Sequence, residues 1–60
     1  MLSIYQTEYV PGVFVINEDE LDWGIGQIQS SINDKIIVNF ENVGKKAINA
    51  KKINLKIIKV

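Results

Sequence analysis

Catalysis needs groups whose protonation or nucleophilicity can be tuned, and this chain of 60 residues has neither His nor Cys to supply one. The candidates left are Asp, Glu, Lys, Ser, Thr and Tyr, and no pair of them stands at a recognisable catalytic spacing. A core of this size also leaves little room beside it for a substrate pocket of roughly 300 Å³ or more. No enzyme and no cofactor are expected. Disulfides and the common zinc sites are excluded by composition. The run Glu18-Asp19-Glu20-Leu21-Asp22 invites a calcium reading. Setting Gly24 as the invariant glycine of a calcium loop puts Leu21 and Trp23 where oxygen ligands are needed, so the run reads as a solvated loop.

Three other features could carry binding. Gly24 and Gly26 resemble the start of a phosphate loop, but no third glycine and no Gly-Lys-Ser/Thr follows. Glycines there are better placed to let a strand bend sharply. Trp23 is either a recognition anchor or a lid over one end of a core, its N–H reaching water, and the lid is slightly favoured. A cage for methylated lysine needs several clustered aromatics, and Tyr5, Tyr9, Phe14, Trp23 and Phe40 are the whole supply. Lys45, Lys46, Lys51 and Lys52 form the best basic patch, suited to phosphates or an acidic protein surface. Arginine, the usual reader of bases, is absent, so nucleic-acid binding there would be weak, sequence-tolerant and steeply salt-dependent.

The elements that must position these residues are strands. Ile and Val fill 17 positions, and their branched side chains favour a pleated sheet. In Ile36 to Glu41 the alternation sends Ile36, Val38 and Phe40 to one face, and Ile37, Asn39 and Glu41 to the other. Ile28 and Ile32 lie among polar residues as a half-buried strand. Strands are expected near 25–31 and 35–41, joined by a two-residue turn at Asn33-Asp34. Pro11-Gly12 reads as a turn leading into a short strand over Val13 to Ile16. A strand at 46–49, a single tight helical turn near 50–53 and a last strand around Leu55–Ile57 complete the chain. Short strands at such spacing suggest a small closed barrel, which would also remove sheet edges. Lys35 and Glu41 flank the apolar segment between them as charged gatekeepers. The expected fold is all-β: a five-stranded SH3-like or Tudor-like barrel over 10–60, with one short helical turn before the last strand and an extension over 1–9.

Net charge is zero but segregated: residues 1–34 hold six of the acids and no base, while 35–60 hold all seven lysines and only Glu41. The halves could become two faces, though mutual attraction across a soluble fold is the plainer reading. Residues 1–12 contain neither a basic region nor a long apolar run, and the longest apolar stretch, Val13 to Ile16, is too short to span a bilayer. The expected location is cytoplasmic, with no membrane contact.

Several blocks, taken together, resemble a known family. They are Pro11-Gly12, Val15, Asp22-Trp23-Gly24 with Gly26-Gln27, Gln29-Ser30, then Val38-Asn39-Phe40-Glu41 with Gly44-Lys45-Lys46, and Leu55. The sequence resembles a family of short stand-alone bacterial proteins built from a domain of unknown function, over residues 10 to 58. A looser pattern is similar to the C-terminal Tudor-like domain of UvrD-type helicases. It also looks like the RNA-polymerase-interacting domains of CarD and of the transcription-repair coupling factor. The resemblance implies a five-stranded barrel and docking on the RNA polymerase β subunit, although fold alone does not carry function. The short family usually has a basic residue and a His where this sequence has Ile16 and Asn17, so a basic contact there is lost.

Three functions are therefore carried forward. The first is a protein-interaction module presenting a sheet edge and apolar residues such as Phe14 and Ile37, with Trp23 and the four lysines around them. Its partner would be RNA polymerase or a repair helicase. The second is weak, sequence-independent nucleic-acid binding through Lys45, Lys46, Lys51 and Lys52. The third is self-association into a homo-oligomer, suggested by small size and high apolar content.

Overall fold

The computed structural model describes residues 9–59. Five strands form one antiparallel sheet: β1 (Phe14–Asn17), β2 (Gly26–Ile32), β3 (Lys35–Phe40), β4 (Gly44–Asn49) and β5 (Leu55–Ile58). Their order across the sheet is β4-β3-β2-β1-β5. The expected extension over 1–9 lies outside the described residues except for Tyr9, which packs on the core and donates its hydroxyl to the Leu55 carbonyl at 2.9 Å.

Each turn follows from local chemistry. Pro11-Gly12 makes a tight turn, closed by Val13 N–H donating to the Val10 carbonyl at 3.2 Å, with Gly12 at φ +95°. The β2–β3 hairpin turns at Asn33-Asp34, where Asn33 adopts φ +55°. The tight turn near 50–53 is present, but as a reverse turn rather than a helical one. Asn49 directs it, its side chain accepting from Lys51 N–H and its carbonyl from Lys52 N–H, both at 2.9 Å. A helical turn occurs elsewhere, as a single 3-10 turn at Leu21–Trp23. No α-helix is found among the described residues, and no helix is long and apolar enough to cross a membrane.

The core draws on every strand: Val15, Ile28, Ile36, Val38, Phe40, Ile48 and Leu55 are buried in one cluster. A single sheet with no covering layer can gather one face in this way only by curling, and Gly26 and a bulge in β2 supply the curl. A Cβ on Gly26 would lie 2.5 Å from Val38 Cγ1 and 2.7 Å from the Phe40 ring, so only glycine lets β2 pass beneath Phe40. The bulge falls between Ile28 and Ser30, where β2 carries one more residue than β3. It reverses which side chains face inward. Beyond it Ser31 pairs with Ile36 on the core side, and Ile32 turns outward, 68% exposed. Ile32 therefore does not share the core face with Ile28, as unbroken alternation had implied. The strand pairing leaves the sheet open. β4 and β5 are its two edges, because the turn after β4 carries the chain across to β1 rather than back along β4.

Candidate interaction surface

The two densest blocks of the sequence meet as a clamp at one end of the sheet. Glu41 accepts from Ile25 N–H through Oε1 at 2.9 Å and donates its own N–H to the Ile25 carbonyl at 2.9 Å. Asn42 repeats the arrangement one step on: its N–H donates to the Trp23 carbonyl at 3.0 Å, and its side-chain amide to the Asp22 carbonyl at 2.9 Å. Gly24, at φ +81°, leaves room for both side chains, since a Cβ there would lie 2.7 Å from Glu41 Oε1. Asp22-Trp23-Gly24 and Phe40-Glu41-Asn42 are thus mutual supports. Their pattern is explained by backbone hydrogen bonding, with no ligand required.

Trp23 caps the core from this clamp. It is half-buried, its ring meets Phe40 edge-on with centroids 5.1 Å apart and planes at 69°, and Lys46 Nζ lies 5.1 Å from the ring centroid. That pair is the one close aromatic contact among the described residues, and Tyr5 lies outside them. The acidic loop is tied down by backbone bonds. Buried Asn17 accepts from Asp19 N–H through Oδ1 at 2.9 Å and from Glu20 N–H through its carbonyl at 3.0 Å. Position 17 is thereby a loop-shaping position inside the fold, while Ile16 before it is half-buried and faces outward beside Lys56. Among the described residues no cluster of three or more His, Cys, Asp or Glu side chains could hold a metal.

The four lysines do not gather. Strand alternation puts Lys45 on the outer face of β4 and turns Lys46 to the core side, over Trp23. Lys51 and Lys52 stand on the turn beyond β4, with Lys51 Nζ 3.5 Å from the Asp34 carboxylate. Both partners of that pair are largely exposed, so it contributes little to stability.

Phe14 and Ile37 do lie on the outer face, both half-buried, on β1 and β3. Register places Ile58, Phe14, Gln27, Asn39 and Lys45 in a single row across all five strands. A shallow groove of about 450 Å³ includes Phe14, Gln27 and Asn39 in its lining. A second depression of about 560 Å³ sits by the β2–β3 hairpin, between Ile32 and Ile48. Both are open to solvent, and their size alone would admit a small ligand. Gln27 and Asn39 were not singled out from the sequence. Their signal was there: polar residues at outward positions on both arms of one hairpin, opposite Ile28 and Val38.

A family model described as "Protein of unknown function (DUF3553)" matches residues 9–58, and the chain belongs to that family. No curated protein and no solved structure matches this chain.

Proposed function

We propose that this member of the DUF3553 family is a non-catalytic module that docks on another protein through the outer face of its sheet. The observation that carries this reading is the row of Phe14, Gln27, Asn39 and Lys45 with Ile37 beside it, an apolar centre edged by amides and a lysine. Interfaces combine such a centre with a polar rim. The clamp and the Trp23 lid give this face a fixed backing, so little ordering would accompany binding.

The partner class is drawn from resemblance. The looser pattern shared with UvrD-type helicase tails and with CarD supports RNA polymerase, or a DNA-repair helicase, as the protein docked upon. The same proposal includes a cytoplasmic location and the view that the curled sheet is an SH3-like or Tudor-like barrel. The bulge in β2, Gly26 and the single core fed by all five strands support that view of the fold. The nucleic-acid reading has less behind it, since Lys45 and Lys46 point to opposite sides and Lys51 faces Asp34. Self-association rests on composition and on the open edges β4 and β5.

Affinity capture from a native bacterial extract, with and without nuclease, tests the reading. Recovery of RNA polymerase or a repair helicase that survives nuclease is the expected result. Loss of every partner on nuclease treatment would move the function to nucleic acid. Recovery of neither protein under any condition removes the proposal's support.

A further inference from the structure

The charged residues within the strands are Lys35, Lys45, Lys46 and Lys56, and none is acidic. All but Lys35 stand on β4 and β5, the two edges of the open sheet. A free edge shows a row of backbone N–H and C=O groups with which another chain can pair. β5 limits that exposure by being short, four residues with Lys56 among them and Lys59 just after. β4 is longer, Gly44–Asn49, and among the described residues it is paired on one side only, with β3.

Lys46 breaks the pattern of that longer edge. The core-side positions of β4 are Gly44, Lys46 and Ile48, opposite Phe40, Val38 and Ile36, which are all buried. A lysine is thus turned inward, half-buried, at the rim where an apolar residue would extend the core. Its place is fixed by its surroundings. Nζ lies 5.1 Å from the centroid of the Trp23 ring, which in turn meets Phe40 edge-on. The Trp23 carbonyl accepts from Asn42 N–H at 3.0 Å, so the ring is anchored at its backbone too.

An inward charge at an edge restricts what can pair there. Two copies joined antiparallel through β4 keep their core faces on one side only in certain registers, because a slip of one residue flips every side chain. In the register centred on Lys46, this lysine meets its own counterpart, and like charges directly opposite repel. Centred on Ala47, it meets Ile48 and must shed water beside an apolar row. Pairing β4 with β5 of another copy sets lysine-bearing strands side by side, with no acid on either to offset them.

We infer that Lys46 is an edge guard: an inward-pointing charge on β4, held by Trp23, that keeps the open sheet from pairing with a second copy of this chain. The inference stands apart from the docking reading, which uses the outer face, and it removes the β4 edge as a route to self-association.

The test is sedimentation velocity over a concentration series, with amide hydrogen exchange locating any contact, on the full chain and three variants. Lys46→Met keeps the stem and loses the charge, Lys46→Arg keeps the charge, and Lys51→Gln removes a lysine from the turn. The wild type, Lys46→Arg and Lys51→Gln should stay monomeric. Lys46→Met should associate at concentrations at least tenfold below any at which the wild type does. Exchange at Lys45, Ala47 and Asn49 should slow as its concentration rises, while the other three show no such change. Lys46→Gln serves in its place, with the same expectation, if Lys46→Met loses the native amide spectrum. A natively folded Lys46→Met or Lys46→Gln that stays monomeric would overturn the inference. So would a wild type or Lys46→Arg that pairs through β4, or association of the uncharged variant through any other surface.

Discussion

At the scale of single residues, the polar and small side chains that looked like chemistry serve the backbone. Gly26 is required because Phe40 and Val38 occupy the space of a Cβ. Gly26→Ala should therefore destabilise the fold by about 1–3 kcal/mol, read as a lowered midpoint in urea denaturation. An unchanged midpoint would mean that β2 does not pass under the Phe40 ring. Asn17 is buried and satisfies the acidic loop, so Asn17→Ala should cost about 1–2 kcal/mol by leaving Asp19 N–H without its acceptor. Were Asn17 a surface contact instead, the same substitution would alter binding and leave stability alone. Glu41 shows why such roles hide in a sequence. It reads as a gatekeeper after an apolar strand, yet its carboxylate reaches 16 positions back to Ile25 N–H. No local pattern announces a bond at that separation.

At the scale of elements, the strands were legible and their interruptions were not. The alternation of Ile36, Val38 and Phe40 is buried as read, and the turns at Pro11-Gly12 and Asn33-Asp34 form where their residue types demand. The strand expected at 46–49 forms as Gly44–Asn49, although Ala and Lys suit a helix by propensity. Pairing with β3 along its whole length overrides that preference. The bulge after Ile28 left no signal in Gln29-Ser30-Ser31, since polar residues do not reveal which face they occupy. It has a measurable consequence. Ile32→Thr, on the outward side, should change stability by no more than about 0.5 kcal/mol. Ile28→Thr, at the core, should cost roughly 2 kcal/mol or more, since it buries a hydroxyl in place of an ethyl group. Equal costs would mean that the strand runs without a bulge. The basic patch failed at this same scale: Lys45 and Lys46 are adjacent in sequence, and a strand sends neighbours to opposite sides.

At the scale of the whole molecule, a short chain without disulfide or clustered metal ligands among its described residues holds one core by curling a single sheet. Long-range ties matter at this size, and the bond from the Tyr9 hydroxyl to the Leu55 carbonyl joins the two ends of the described chain. Tyr9→Phe should lower stability by about 1 kcal/mol, observable as a fall in melting temperature. An unaltered melting temperature would mean that this bond is exchanged for water at no cost. The same economy leaves the outer face uncovered, with Phe14 and Ile37 half-buried on it. That face is the central claim, and the most direct measurement is the affinity of purified RNA polymerase core enzyme for three forms of the chain. These are the wild type, Phe14→Asp, and the double substitution Lys51→Gln with Lys52→Gln. The account predicts that Phe14→Asp weakens binding tenfold or more while the turn lysines change it less than about twofold. Binding that survives Phe14→Asp and collapses when Lys51 and Lys52 are neutralised would contradict it.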